Sequence, residues 1–143
     1  MGLKPEEIAQ SVVEKMYEND SFSKSLGMSI ESISPGTCVL SLKIKGEMVN
    51  GFGVAHGAIM YSLADSALAF ASNSRGKKCL SIDTQISHLR SCNEGDVLTA
   101  SATELSRSRN LGRYEVDVVN QKDEMVAHFR GTVYVKEEEW DIE

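Results

Sequence analysis

Residues 50–74, NGFGVAHGAIMYSLADSALAFASNS, contain one formal charge, at Asp65, and one histidine, His56. Charged residues make up 25% of the chain, so a stretch of this length is expected to carry roughly six of them. From His56 onward the apolar side chains recur at helical spacing, which predicts a long helix over residues 56–74. So little charge is typical of a helix that is buried on more than one side. We therefore place this helix at the centre of the fold.

The two faces of this helix differ in the size and polarity of their side chains. At about 100° per residue, one face collects the bulky apolar residues: Ile59, Met60, Leu63, Ala67, Phe70 and Ala71. Asp65 lies on the opposite face, beside small or uncharged neighbours: Tyr61, Ser62, Ala69 and Ser72. A solvated face usually carries Lys and Glu, so we expect the first face to pack on a sheet and the second against another copy of the chain. Asp65 is then a partly desolvated carboxylate, an environment typical of functional groups.

The remainder of the chain predicts a single α+β domain over residues 1–136. A helix is predicted within residues 1–19, and a hairpin over residues 28–44 turns at Pro35-Gly36. Four alternating segments follow the central helix and predict strands: CLSIDTQISHL, DVLTASATEL, RYEVDVV and MVAHFRGTVYV. An antiparallel sheet of about six strands can wrap the central helix on one face. Residues 137–143 are expected to form a charged, solvated tail.

Composition excludes several classes of partner. The net charge of −6 argues against nucleic acid or an anionic membrane as the main partner. The three cysteines, Cys38, Cys79 and Cys92, lack the spacing of a disulfide framework or a zinc site, which indicates thiols in a reducing cytoplasm. The first ten residues do not resemble a signal peptide, and no segment reaches the ~18 apolar residues of a membrane helix. We expect a cytoplasmic protein that holds no metal.

The start of the central helix predicts a place for an anion or a developing negative charge. A helix N-terminus presents free N–H groups at its positive end, and His56 and Gly57 lie there. A tight entry turn into the helix is the alternative interpretation. Gly57 and Asp65 are eight residues apart, or about 12 Å along the helix axis. One carbonyl group cannot touch both within a chain, so a joint site would take Gly57 from one subunit and Asp65 from its neighbour.

The pattern of Asn50, HGA at 56–58 and LAD at 63–65, followed by LAFASNS, resembles the hotdog-fold acyl-CoA thioesterases of the phenylacetic-acid-degradation type. MYENDSFSKSLGM, IDTQISHLRSCNEGD and VAHFRGTVYV resemble the same family, so the similarity covers nearly the whole chain. It implies a long helix wrapped by an antiparallel sheet, and a homodimer, usually paired into a homotetramer, with sites at the dimer interface. It also implies hydrolysis of acyl-CoA thioesters, often aryl or arylacetyl ones, without a metal or a cofactor other than the CoA of the substrate.

The resemblance also assigns roles to individual residues. Asp65 matches the catalytic carboxylate, as general base or nucleophile, and Gly57 matches the residue whose N–H polarises the carbonyl. Asn50 and His56 match polar residues that hold the substrate or the water. Ala58 departs from the pattern, since the family has a second glycine there. Alanine costs little if this residue has a negative φ, but its methyl group narrows the pocket if the N–H must approach the acyl group.

The phosphates of CoA need basic or hydroxyl partners, and the candidates are Ser81, Arg90, Ser91, Arg109 and Arg113. The segment SRSRNLGR at 106–113, with Arg107, is the densest basic patch in the chain; its alternative is a solvated hairpin loop. His88 and His128 lie on predicted strands and are interpreted as structural or surface residues.

Two other functions remain open at this point. The first is a hotdog dehydratase acting on acyl carrier protein, in which His56 and Asp65 form the catalytic pair. The second is a protein that binds acyl-CoA without catalysis. The HGA and LAD segments favour the thioesterase over the dehydratase, and loss of turnover on replacing Asp65 would separate an enzyme from a binding protein.

Overall fold

The computed structural model describes residues 2–142, over which the chain forms three α-helices, a 3₁₀ turn and six strands. The helices are α1 (Pro5–Glu18), α2 (Ser21–Ser25) and α3 (Gly57–Asn73), and the 3₁₀ turn is Gly46–Met48. The strands are β1 (Ser29–Ser34), β2 (Thr37–Lys43), β3 (Lys77–His88), β4 (Val97–Arg107), β5 (Leu111–Val119) and β6 (Met125–Glu139). Met1 and Glu143, the outer ends of the predicted domain and tail, lie outside the described residues.

The six strands form one antiparallel sheet in the order β1-β2-β4-β5-β6-β3. Alternate residues of the inner strands are buried against α3; the largest of them are Leu40, Leu42, Leu98, Tyr114, Val116 and Phe129. Helix α3 lies along this inner face and contacts β2, β3, β4, β5 and β6. The predicted α+β architecture, a long helix wrapped by a six-stranded antiparallel sheet, is confirmed.

The sheet ends in β3, which pairs with β6 on one side, and no strand within residues 2–142 pairs with its other side. A β-bulge lies between Ser81 and Asp83. The bulge shifts the alternation of the strand by one residue, so Ser81 and Ile86 lie on the same inner face although their numbers differ in parity. Their partners on β6, Val133 and Phe129, are both buried. The bulge therefore decides which side chains of β3 point towards α3.

The C-terminal segment is part of the folded structure, which corrects the prediction of a solvated tail from residue 137. Strand β6 continues through Glu139, and Lys77 on β3 pairs with Glu139. The indole N–H of Trp140 donates to Asn73 Oδ1 at 2.9 Å, and its backbone N–H donates to Gly76 O at 2.8 Å. The many charged residues of this segment predict exposure to solvent, but Trp140 attaches the segment to the C-terminal end of α3.

The three cysteines are buried and not disulfide-bonded. Burial raises the pKa of the Cys38 thiol to about 12 and the pKa of Cys92 to about 11, so both are neutral thiols near neutral pH. None of the helices within the described part of the chain is long and apolar enough to cross a membrane.

Candidate active site

The N-terminus of α3 has one backbone donor without a partner. His56 is the N-cap, and its Nδ1 accepts a hydrogen bond from the Ala58 N–H at 3.0 Å. The Ile59 N–H donates to the carbonyl of His56 at 2.9 Å. The N–H of Gly57 donates to no atom of residues 2–142. It lies at the positive end of the helix dipole, where an oxygen of a ligand can accept its hydrogen bond.

His56 therefore has a defined role in the structure. Because Nδ1 accepts from a backbone N–H, the imidazole proton is on Nε2. The backbone N–H of His56 donates to Met48 O at 2.8 Å, which holds the residue in place from the other side. The side chain positions the first turn of α3, and its predicted role in holding the substrate or the water stays a prediction.

Asn50 shapes the loop that leads into α3. Its Oδ1 accepts hydrogen bonds from the N–H groups of Phe52 and Val54, at 2.9 and 3.4 Å, and its backbone N–H donates to Val54 O at 2.8 Å. The amide oxygen is thus engaged in the loop. The Nδ2 group has no partner in the described part of the chain, so two amide donors are available to a ligand or to water.

Asp65 lies two turns further along α3 and is half-buried. Neither a hydrogen bond nor an ion pair to its carboxylate is present among the residues described. Burial raises the pKa of this carboxyl above its ordinary value of 3.8, because a low-dielectric environment disfavours the charged form. An ionised carboxylate of increased basicity, without a competing cation, can take a proton from water or attack a carbonyl carbon.

The imidazole of His88, the last residue of β3, lies in contact range of the space beside the Gly57 backbone. A Cβ atom added to Gly57 would lie 3.3 Å from both Cε1 and Nε2 of the imidazole. The interpretation of His88 as a structural or surface residue missed this contact. Simple alternation along β3 places His88 on the outer face with Leu80, whereas the bulge after Ser81 turns it inward, opposite buried Ala127. The sequence carries no clear signal for that bulge.

Ala58 lies in the first turn of α3 and has the negative φ of a right-handed helical residue. Its side chain is exposed. The negative φ meets the condition under which alanine costs little at this position.

Comparison with known proteins identifies the family of this fold and site. Residues 52–127 match the family model described as "Thioesterase superfamily". The chain is 40% identical, over 116 residues, to the acyl-coenzyme A thioesterase PaaI of Escherichia coli K12, a match that covers 81% of this chain and 83% of that protein. The chain belongs to the thioesterase superfamily. The predicted family and the prediction of a thioester hydrolase are confirmed.

Solved structures agree with this assignment. The E. coli PaaI protein, from the phenylacetic acid degradation operon, matches this thioesterase with a TM-score of 0.93 and 34% identity, over 95% of this chain and 99% of that one. A hypothetical thioesterase protein of Streptococcus pneumoniae TIGR4, crystallised with coenzyme A, matches with a TM-score of 0.82 and 25% identity, over 88% and 98% of the two chains. The hotdog fold predicted from the sequence is confirmed.

Two of the predicted CoA-binding residues of this thioesterase lie at the same end as Gly57. Arg90 and Ser91 follow β3 after Leu89 and are exposed. The next residue, Cys92, accepts a hydrogen bond from the Ala55 N–H at 2.8 Å, which attaches this loop to the segment before α3. Arg90 makes an exposed ion pair with Glu124 at 3.4 Å, and such a pair holds the guanidinium only weakly.

The remaining candidates are dispersed. Ser81 is exposed on the inner face of β3, opposite Val133, and Arg113 is exposed on the outer face of the sheet, opposite Thr132. Arg109 lies in the β4–β5 turn and pairs with Glu137 at 3.3 Å. The expected basic patch is therefore not continuous, and within one chain these residues lie away from Gly57.

Arg107 is not part of a solvated basic patch. Its Nη1 donates to Ser72 O at 2.8 Å and to the Tyr114 hydroxyl at 2.9 Å. Between Gly2 and Ile142, no three His, Cys, Asp or Glu side chains are grouped so that they can hold a metal ion; the expectation of a metal-free enzyme stays a prediction.

Proposed function

We propose that this thioesterase hydrolyses an aryl- or arylacetyl-CoA thioester, such as phenylacetyl-CoA, to the free acid and CoA. The observation that carries the proposal is the N–H of Gly57 at the start of α3, on the same helix as the half-buried carboxylate of Asp65; neither group has a hydrogen-bond partner within residues 2–142. The similarity to the acyl-coenzyme A thioesterase PaaI supports the CoA ester as substrate. A cytoplasmic location fits this substrate and is part of the proposal.

The site is shared between two subunits. Gly57 and Asp65 are separated by about 12 Å along α3, which is too far for both to reach one thioester. The second edge of β3 has no partner strand within the described chain, and its exposed backbone groups are able to pair with another chain. A second copy placed there brings its own Asp65 face towards the first subunit, and a homodimer with two composite sites results.

A second interface on the outer face of the sheet supports a homotetramer. Leu80, Tyr134 and Leu111 lie side by side on β3, β6 and β5 in the register of the sheet. Their exposed fractions are 63%, 45% and 41%. A contiguous apolar row on a sheet face is typical of a surface that packs on another subunit. We propose that two dimers associate through this row.

The chemistry follows from these groups. The Gly57 N–H polarises the thioester carbonyl, and Asp65 of the neighbouring subunit takes a proton from the attacking water. A C–O bond forms and the negative charge moves to the carbonyl oxygen. When that charge returns, the C–S bond breaks and CoA leaves as a thiolate, which recovers a proton from the Asp65 carboxyl or from water. Asn50 Nδ2 is available to hold the water.

The phosphates of CoA are assigned to Arg90 and Ser91, which lie at the Gly57 end of the molecule. Ser81, Arg109 and Arg113 lie away from Gly57 within one chain, so they can reach its ligand only from a neighbouring subunit. Replacing Arg90 by Ala is expected to raise KM for the CoA ester while kcat is unchanged, because a phosphate contact is made equally in the ground state and the transition state.

A hydrolysis screen tests the proposed substrate class. Release of CoA thiol is followed with phenylacetyl-, hydroxyphenylacetyl-, benzoyl- and straight-chain acyl-CoAs. We expect the highest kcat/KM with an aromatic acyl group. Preference for straight chains would overturn the aryl assignment; dehydration of 3-hydroxyacyl substrates without CoA release would favour the dehydratase, and binding without turnover a non-catalytic protein.

An isotope experiment tests whether Asp65 forms an anhydride that water opens at the aspartyl carbon. In a single turnover in H₂¹⁸O with enzyme in excess, general-base catalysis places the label in the acid product alone. Attack by Asp65 through a mixed anhydride instead allows ¹⁸O to enter the Asp65 carboxylate, where mass spectrometry of the peptide detects it. We expect an unlabelled peptide, and label in the Asp65 peptide would establish Asp65 as the nucleophile.

A further inference from the structure

The imidazole of His88 is the polar group nearest to the Gly57 backbone that has no assigned role. Its Cε1 and Nε2 edge faces Gly57, at 3.3 Å from the place where a Cβ would be. The side chain is exposed to solvent, and no hydrogen bond from either ring nitrogen is formed to residues 2–142. By contrast, His56 uses Nδ1 to cap α3, and His128 uses Nδ1 to bind Asp117 at 2.8 Å. Of the three histidines, His88 is the one with both nitrogens available.

The backbone pairing between β3 and β6 holds His88 in position. His88 pairs with Ala127 on β6, and Leu89 donates its N–H to Val126 O at 2.8 Å. The backbone that carries the imidazole is therefore held on both sides of the residue. Because of the bulge in β3, the side chain lies on the inner face, beside the first turn of α3.

A thioester oxygen accepts two hydrogen bonds, since a carbonyl oxygen has two lone pairs. The Gly57 N–H supplies one. We propose that Nε2–H of His88 donates the second hydrogen bond to the same oxygen, so that two donors stabilise the charge that develops there. His88 keeps its proton throughout. This inference rests on the proposed function, because it assigns His88 to the thioester bound at Gly57.

The juxtaposition also explains why residue 57 is a glycine. A side chain at this position would meet the imidazole edge at 3.3 Å, which is tighter than ordinary van der Waals contact. We expect Gly57→Ala to displace His88 and to lose activity, and His88→Ala to remove the steric part of that loss. In a double-mutant cycle, the loss in Gly57→Ala/His88→Ala should therefore be smaller than the product of the two single losses.

Steady-state kinetics of His88 variants test the second donor. His88→Phe keeps a ring of similar shape and removes the donor; kcat is expected to fall on the order of 100-fold, while KM stays close to that of the wild type. His88→Gln retains an N–H donor and should recover part of kcat. His128→Phe, the same change on the outer face of the sheet, serves as control and should leave kcat unchanged. Wild-type kcat in His88→Phe would overturn the proposal.

A spectroscopic measurement separates this inference from the proposed function. The ¹³C resonance of a labelled thioester carbonyl is recorded for phenylacetyl-CoA bound to Asp65→Asn, which cannot turn it over, and to Asp65→Asn/His88→Phe. We expect a downfield shift on binding that is smaller in the double variant. Equal shifts in both proteins would refute the role of His88 alone. If the wild type hydrolyses no CoA ester and the carbonyl resonance does not move, the proposed function itself fails.

Discussion

At the C-terminal end of α3, side chains bind carbonyl groups of the last turns, whereas the Gly57 N–H at the N-terminal end has no partner within residues 2–142. Arg107 donates to Ser72 O at 2.8 Å, Ser74 Oγ donates to Ala71 O at 2.7 Å, and Asn73 Nδ2 donates to Ala69 O at 2.8 Å. At the other end, the Gly57 N–H has no partner among the described residues. We refer to these regions as the closed end and the open end of α3.

The difference between the two ends is informative because the backbone groups at both ends of any α-helix need hydrogen-bond partners from outside the helix. Both ends of an α-helix leave backbone groups without partners inside the helix, and buried polar groups need a hydrogen bond. At the closed end, Glu104 extends the network: its carboxylate accepts from Arg75 and from the Tyr114 hydroxyl, and these bonds lower its pKa. Because side chains bind the carbonyl groups at one end while the Gly57 N–H at the other end has no partner within residues 2–142, we infer that a ligand supplies the missing acceptor.

The largest expected effect is on the chemistry that the open end supports. Asp65→Asn keeps the size of the side chain and removes the base, so kcat should fall by about 10²–10⁴-fold. The assay is release of CoA thiol from an arylacetyl-CoA, with light scattering to show that the oligomer persists. Asp123→Asn is the matched control, because Asp123 has a φ of 60° in the β5–β6 turn, a conformation that Asn also tolerates. Full activity in Asp65→Asn would remove the basis of the proposed mechanism.

The next effect concerns the closed end. Asn73 Oδ1 accepts from the Cys79 N–H at 2.8 Å and from the Trp140 indole at 2.9 Å. Asn73→Ala leaves the buried Cys79 N–H and the part-buried Trp140 indole without this acceptor, and the free energy of unfolding should fall by about 2–3 kcal/mol. Urea denaturation at a fixed protein concentration measures it, and kcat of the folded enzyme should be unchanged.

Asn19→Ala is the control for this prediction. Asn19 is exposed and donates to Lys15 O at 3.0 Å, so its loss should change the free energy of unfolding by no more than about 0.5 kcal/mol. A large fall in kcat for Asn73→Ala with unchanged stability would show that the closed end takes part in catalysis and would break the comparison.

A smaller, pH-dependent effect follows from the burial of Asp65. The base must be ionised, so kcat/KM should fall towards acid pH through a pKa above the ordinary value of 3.8. Ionisation of Asp65, which activity requires, is expected to lower the stability of the folded protein. Since the folded-state pKa is raised, the contribution of Asp65 to stability is present below the unfolded pKa and is lost as the pH rises through the folded value.

Asp65→Asn, whose side chain is always neutral, should therefore be more stable than the wild type near neutral pH and similar to it below pH 3.8. Urea unfolding of both proteins at the two pH values checks this. A variant that is both less active and less stable at neutral pH would contradict a carboxylate destabilised by burial.

The smallest effect is expected at Ala58, beside the open end. Ala58→Gly restores the glycine of the family pattern in a right-handed helical residue, and its greater chain entropy should lower the free energy of unfolding by about 0.5–1 kcal/mol. Because the Ala58 N–H already donates to His56 Nδ1, kcat towards phenylacetyl-CoA should be unchanged. A large gain in kcat for bulky acyl groups would show that the Ala58 methyl group limits the pocket.

Much of the open end was predictable, since its residues are close in sequence. Gly57, His56 and Asp65 belong to one helix, and 3.6 residues per turn determine their spacing without reference to the rest of the chain. The predicted sheet also followed from local alternation. His88 could not be found in this way, because the bulge after Ser81 changes which face it occupies and leaves no clear trace in the composition of β3.

At the closed end, too, the sequence could not reveal contacts between segments that are far apart in the chain. SRSRNLGR has the composition of a basic, solvated patch, yet Arg107 turns inward to Ser72, which is 35 residues earlier in the chain. The acidic segment after residue 136 has the composition of a tail, yet Trp140 binds Asn73. In each case the partner was unknown from the sequence, and composition alone favoured the exposed state.

The long apolar helix, the alternation of the strands and the family could be predicted from the sequence alone, because periodicity and short motifs are local properties. The three-dimensional structure was needed to show that the Gly57 N–H has no partner within residues 2–142, that His88 lies beside Gly57, and that Asn73, Arg107 and Trp140 close the opposite end. These are contacts between segments far apart in the chain, and strand register, including one bulge, determines which side chains meet.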